Sequence, residues 1–175
     1  MSSIYLHSLI QTFEAIFPTL QIRGGADEPF YQAPKSGHSA MLFFREDFTR
    51  SLLHEMAHYC LAGDRRRQLD DFGFWYTPCG RDAHQQAEFE RVEARPQGLE
   101  WVFCELLDLP FSPSLDDFSG RPPSPEFLEN LKAAYIEMKE CPPTTAKRAI
   151  CGLQSYAKTL GIMGDTAHRM QPDPD

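Results

Sequence analysis

The chain has 175 residues, 42% of them hydrophobic, enough for one globular domain with a core of its own. A formal charge of −8 excludes a nucleic-acid binder that relies on neutralising phosphates. No apolar run reaches the ~18 residues of a membrane span, and the opening MSSIYLHSLIQTFEAIF lacks the basic start of a secretory signal.

A cytoplasmic protein is therefore expected. Apolar residues at 4, 6, 9, 10, 13, 16 and 17 recur at helical spacing and predict a helix over 3–17, ended by Pro18. Leu20 to Ile22, ahead of Gly24 and Gly25, reads as a short strand, 26–38 as a turn-rich connection, and Met41 to Phe44 as a second strand. A helix from about Phe48 to Leu61 follows, with Asp47 or Thr49 as its cap and Gly63 as its stop.

Residues 64–82 are irregular, aromatic and charged. Helix formers over 83–94 predict a helix interrupted by Pro96, with the pattern resuming over 99–107. The proline-rich stretch 110–125 reads as a connector, and Ser124-Pro125 as the cap and first residue of a helix to about Glu140. A last helix covers roughly 146–160, stopped by Gly161. Residues 1–165 are expected to form a single domain and 166–175 a flexible tail. The five cysteines, an odd count without CxxC spacing, suit reduced thiols. The predicted class is α+β, mostly helical, with a small sheet beside the helix that carries LLHEMAHYCL (52–61).

That helix holds the chemistry. His54 and His58 stand at i and i+4, about 40° apart around the axis and roughly 6 Å along it. Two imidazoles so placed can reach one ion, as a divalent transition metal requires. Chance supplies only about 0.015 HExxH matches in a chain of this composition. The rival account is a pair of core histidines satisfied by other partners. A third ligand is expected from 83–94, which offers Glu88, Glu90 and Glu93. If Phe89 faces the core, Glu93 lies one turn further along that face and is the first choice, with Glu90 second. Two histidines and a carboxylate suit hydrolytic zinc, for which Glu55 would be the general base, but equally iron that activates oxygen. The five-residue motif leaves both chemistries open.

A longer series of matches surrounds the motif. HExxH is followed by Cys60-x-Ala62-Gly63, an Arg-Arg pair, DFGxWY from Asp71 to Tyr76, GRDA, FExVE from Phe89 to Glu93, and PQ. Upstream stand Asp27-Glu28-Pro29 and Tyr31. In these features the chain resembles the elongation factor P hydroxylase family, strongly over about residues 20–110 and weakly beyond.

The resemblance implies a metal-dependent monooxygenase that hydroxylates the β-lysyl-modified lysine of the translation factor EF-P, with Fe(II) as cofactor and O2 as cosubstrate. It also implies a zincin-like site in which His54, His58 and Glu93 hold the metal and Glu55 stands beside it. The HxD…H pattern of 2-oxoglutarate oxygenases is missing. A polycationic substrate calls for carboxylates and an aromatic wall, and Asp27, Glu28 and Asp71 are candidates for the first, Trp75, Tyr76 and Phe74 for the second. Core packing is the plainer account of each aromatic. Arg65, Arg66 and Arg67 suit contact with an acidic partner, or simply a solvated helix end. The expected partner is the modified lysine loop of EF-P, without membrane or direct nucleic acid. The rival readings are an HExxH zinc metallopeptidase and a non-catalytic, metal-stabilised protein-binding module.

Overall fold

The computed structural model describes residues 3–73, 81–115 and 122–162. Ser3–Ile16 forms α1, followed by β1 (Leu20–Ala26), β2 (Phe30–Gln32) and β3 (Ala40–Arg45). Then come α2 (Thr49–Leu61), two short turns of tighter helix at Arg66–Gln68 and Asp70–Gly73, α3 (Ala83–Leu106), α4 (Pro125–Glu140) and α5 (Thr144–Thr159). Among the described residues, five helices and a three-stranded sheet make this an α+β protein, as expected. None of the described helices is long and apolar enough to cross a membrane.

The sheet order is β1-β3-β2, with β1 parallel and β2 antiparallel to β3. Ala40, Leu42 and Phe44 alternate inward along β3 and meet Leu20 and Ile22 of β1 in the core. β2 was not anticipated in the turn-rich segment, and its three residues explain why: little of it is secured by local pattern. Its edge is closed from elsewhere, since the Tyr31 N–H donates to the Asp71 carboxylate and the Ala33 N–H to that of Asp70, both at 2.8 Å.

α2 turns Leu52, Leu53, Met56, Ala57, Tyr59 and Cys60 into the core, which leaves His54, Glu55 and His58 together on its half-buried side. Phe48 occupies its N-cap position without a side-chain cap bond, so neither expected cap is used; Ala62 closes its other end. The described cysteines are all free thiols, with Cys60 and Cys104 buried.

The largest departure from expectation is α3. Asp82 and Gln85 form a reciprocal capping box at its start, and it then runs for 24 residues straight through Pro96. A proline inside a helix costs about 3 kcal/mol through its lost N–H and its clash with the preceding turn. Beyond it Leu99, Val102 and Phe103 are buried, at about 1.5–3 kcal/mol each. Packing outweighs the local penalty, and the helix continues.

Gly98 permits the close approach of α4: a Cβ there would stand 2.8 Å from the Ala134 Cβ and 2.8 Å from the Tyr135 backbone nitrogen. Gly98→Ala is expected to lower stability by about 1–2 kcal/mol, because forced overpacking outweighs the ~1 kcal/mol gained in helix propensity. Urea denaturation measures it.

Candidate metal centre

α2 and α3 pack side by side and bring the two halves of the site together. The Nε2 atoms of His54 and His58 lie 3.1 Å apart, their rings 4.7 Å apart at 71°. Between them reaches the Glu93 carboxylate, Oε2 at 3.5 Å from His54 Nε2 and Oε1 at 3.3 Å from His58 Nε2. One ligand atom from each of these three residues lies within 4.8 Å of the others. Two ligands about 2.1 Å from one ion and 90–110° apart are themselves separated by ~3.0–3.4 Å. The spacings of 3.1 and 3.3 Å fall in that range and the one of 3.5 Å lies just beyond it, so the donor set fits a divalent transition ion with further positions open.

Glu93 belongs to a stripe of buried polar residues on α3: Gln86, Glu90, Glu93, Gln97 and Glu100 are each under one-tenth exposed. Their spacing of four, three, four and three keeps all of them within about 80° around the axis. Each is given a partner. The Gln97 amide donates to Glu93 Oε2 at 3.4 Å and to the Ser114 carbonyl at 2.7 Å, while accepting from the Ser114 N–H at 3.0 Å. Glu90 is buried too, but it accepts from Gln86 and from the hydroxyl of Ser124, the cap of α4. It is thereby held outside the cluster. Glu100 was not anticipated. It accepts from His54 Nδ1 at 3.0 Å, and its other oxygen takes two bonds from Arg50, at 3.0 and 2.7 Å. Its one sequence signal is the seven-residue interval from Glu93, which returns to the same helix face.

Charge distribution follows from this packing. Burial disfavours an ionised His54, but the hydrogen bond to Glu100 and the charges of Glu93, Glu55 and Glu100 outweigh it and raise its pKa from 6.5 to about 10. Burial likewise opposes the Glu93 carboxylate, yet His58, His54 and Gln97 together pull its pKa from 4.5 down to about 2. Glu55 is half-buried beside the cluster; burial raises its pKa, His54 and His58 oppose that rise, and Glu93 and Asp71 add to it.

Asp71 is thus close enough for its charge to be felt at Glu55. It sits in a left-handed turn with φ of 48°, followed by Phe72 at 56° and Gly73 at 69°, and stays there through its bond from Tyr31. Asp27 and Glu28 are exposed in the turn between β1 and β2. Phe74, Trp75 and Tyr76 lie outside the described residues. Two of the arginines are engaged internally: Arg66 donates to the Phe72 carbonyl, while Arg67 pairs with Asp64 and lies over Tyr59. A separate cleft of about 1020 Å³, lined by Tyr31, Tyr59, Arg67 and Arg148 among others, does not include the His54–His58–Glu93 cluster. The candidate donor set therefore lies apart from this concavity.

A family model described as elongation factor P hydroxylase matches residues 9–162. The chain is also 41% identical over 130 residues to a Haemophilus influenzae protein called elongation factor P lysine hydroxylase, covering 74% of this chain and 71% of that one.

The titration of the cluster sets a pH window for protein stripped of metal by a chelator. His54, with its pKa raised from 6.5 to about 10, contributes stability that is full below pH 6.5 and lost as pH rises through 10. Glu93, lowered from 4.5 to about 2, contributes stability present above pH 4.5 and lost as pH falls through 2. Urea midpoints of the stripped protein should therefore be highest between pH 4.5 and 6.5, and a flat profile over pH 4–9 would contradict the pairing.

Proposed function

The chain belongs to the elongation factor P hydroxylase family, and from that membership together with the His54–His58–Glu93 cluster we propose that it is a metal-dependent monooxygenase acting on EF-P. Its substrate is the lysine of EF-P that carries a β-lysyl extension, and its place of action is the cytoplasm. The observation that carries the reading is the convergence of two imidazoles and one carboxylate at metal-ligand spacing in a member of this family. Fe(II) held by His54, His58 and Glu93 would supply the means of activating O2. One oxygen atom ends in the new C–OH bond. The other leaves as water, with two electrons from a reductant and two protons.

The protein's own residues have three tasks. His54, His58 and Glu93 hold the ion and leave part of its surface free for reactants. Glu55 and Asp71 receive the ammonium end of the extended lysine. Glu55, whose ionisation burial and neighbouring carboxylates oppose, is stabilised as a carboxylate when a cation arrives. Asp27 and Glu28, exposed in the turn before β2, extend the negative surface.

The zincin-like alternative assigns Glu55 a different task, as the base that takes a proton from metal-bound water. Incubating the protein with β-lysylated EF-P, Fe(II), O2 and a reductant separates the two. The hydroxylase adds the mass of one oxygen to the modified lysine and leaves the chain intact, whereas a peptidase shortens a peptide. His54→Ala and His58→Ala should remove both bound metal and activity. Glu55→Gln should keep the metal and raise KM about ten- to a hundredfold, the range expected for losing one hydrogen bond to a charged group. Full hydroxylation by His54→Ala protein would sink the reading.

A further inference from the structure

The imidazole of His54 is engaged at both of its nitrogens, and the two carboxylates that engage it come from the same helix. Glu93 approaches Nε2 at 3.5 Å, and Glu100, two turns further along α3, lies 3.0 Å from Nδ1. His58 makes no such second contact among the described residues. Glu100 is only 2% exposed, and a buried carboxylate is stable only when paired and hydrogen-bonded. Arg50 does both to its Oε1, leaving Oε2 for the histidine.

Arg50 is itself anchored. Its guanidinium donates to the Ser112 hydroxyl at 2.9 Å and to the Ser112 carbonyl at 2.8 Å, and lies over the Phe111 ring. A chain of bonds therefore runs Ser112–Arg50–Glu100–His54. A carboxylate that accepts from Nδ1–H keeps the proton on that nitrogen, so that the neutral imidazole has its lone pair on Nε2, the atom that faces His58 and Glu93.

We propose that Glu100, braced by Arg50 against Ser112, is a positioning residue for the metal centre: it fixes the tautomer and the ring orientation of His54. The inference rests on the metal reading above and adds to it a residue that does not touch the ion. The same helix supplies its own control. Glu90 is equally a buried carboxylate of α3, but it is bonded to Gln86 and Ser124 rather than to a histidine. A general disturbance of α3 moves both variants alike; a positioning effect moves only one.

The test uses the full chain, stripped with a chelator and titrated anaerobically with Co(II) alone against a competing chelating dye. Affinity and the visible d–d bands of the bound ion are read together with melting temperature. Glu100→Gln should weaken Co(II) binding about 10- to 100-fold and shift the bands, the range expected on losing a group that orients a metal ligand. Glu90→Gln should bind Co(II) as the wild type does, whatever it does to melting. Equal affinity and equal spectra for Glu100→Gln and wild type overturn the proposal, as does an equal loss in Glu90→Gln. If Glu100→Gln does not fold, Arg50→Met keeps the carboxylate while releasing its brace. Several-fold weaker Co(II) binding is then expected, and unchanged binding overturns the idea. Failure of the wild type to bind Co(II), or binding by His54→Ala as strong as the wild type's, defeats the metal reading itself rather than the role of Glu100.

Discussion

The constraint on which this structure turns is the burial of a polar stripe along α3. Gln86, Glu90, Glu93, Gln97 and Glu100 lie in one row where a bundle helix ordinarily carries aliphatic side chains. Leaving a buried amide or carboxylate without a partner costs from about one to several kcal/mol, so each member must be answered from outside the stripe. Arg81 answers Gln86, the α4 cap Ser124 answers Glu90, the α2 imidazoles answer Glu93, Ser114 answers Gln97, and Arg50 answers Glu100. The stripe joins α2, the start of α4 and the 112–115 segment to a single helix. Stability and the candidate centre are therefore the same set of contacts.

The continuity of α3 is what makes that row. Glu93 precedes Pro96 and Glu100 follows it, and the two share a face only because the helix does not break between them. The burial of Leu99, Val102 and Phe103 on one side, and the close approach of α4 over Gly98, hold the helix through a residue that would end it in isolation. The site is thus built on rigid elements and not on loops, which suits a centre whose ligand spacing must be kept to fractions of an ångström.

The sheet has a quieter part. β3 sets the core beneath α2, and β2 closes it with an edge whose outward N–H groups are taken by Asp70 and Asp71. That bond has two consequences. It blunts an exposed strand edge, and it holds a left-handed turn so that the charge of Asp71 is felt at Glu55. Tyr31 stacks on Phe72 at 4.2 Å and secures the same turn from its apolar side.

Much of this was legible in the residues themselves. The i, i+4 spacing of the histidines and four of the five described helices follow from periodicity, because helical spacing is a local property that a linear pattern records, whereas the same pattern divides α3 at Pro96. Family resemblance was equally present in the motif series from His54 to Gln97 and agrees with the family assignment. Tertiary packing decided the rest. β2 exists because two aspartates some forty residues away complete it, and Pro96 sits inside a helix because distant burial outweighs a local penalty. In space Ser124 engages Glu90, while Glu93 reaches the two histidines. Glu100 shows the division most plainly: its interval from Glu93 is written in the chain, but only the docking of α2 on α3 supplies the imidazole and the arginine that give that interval a meaning.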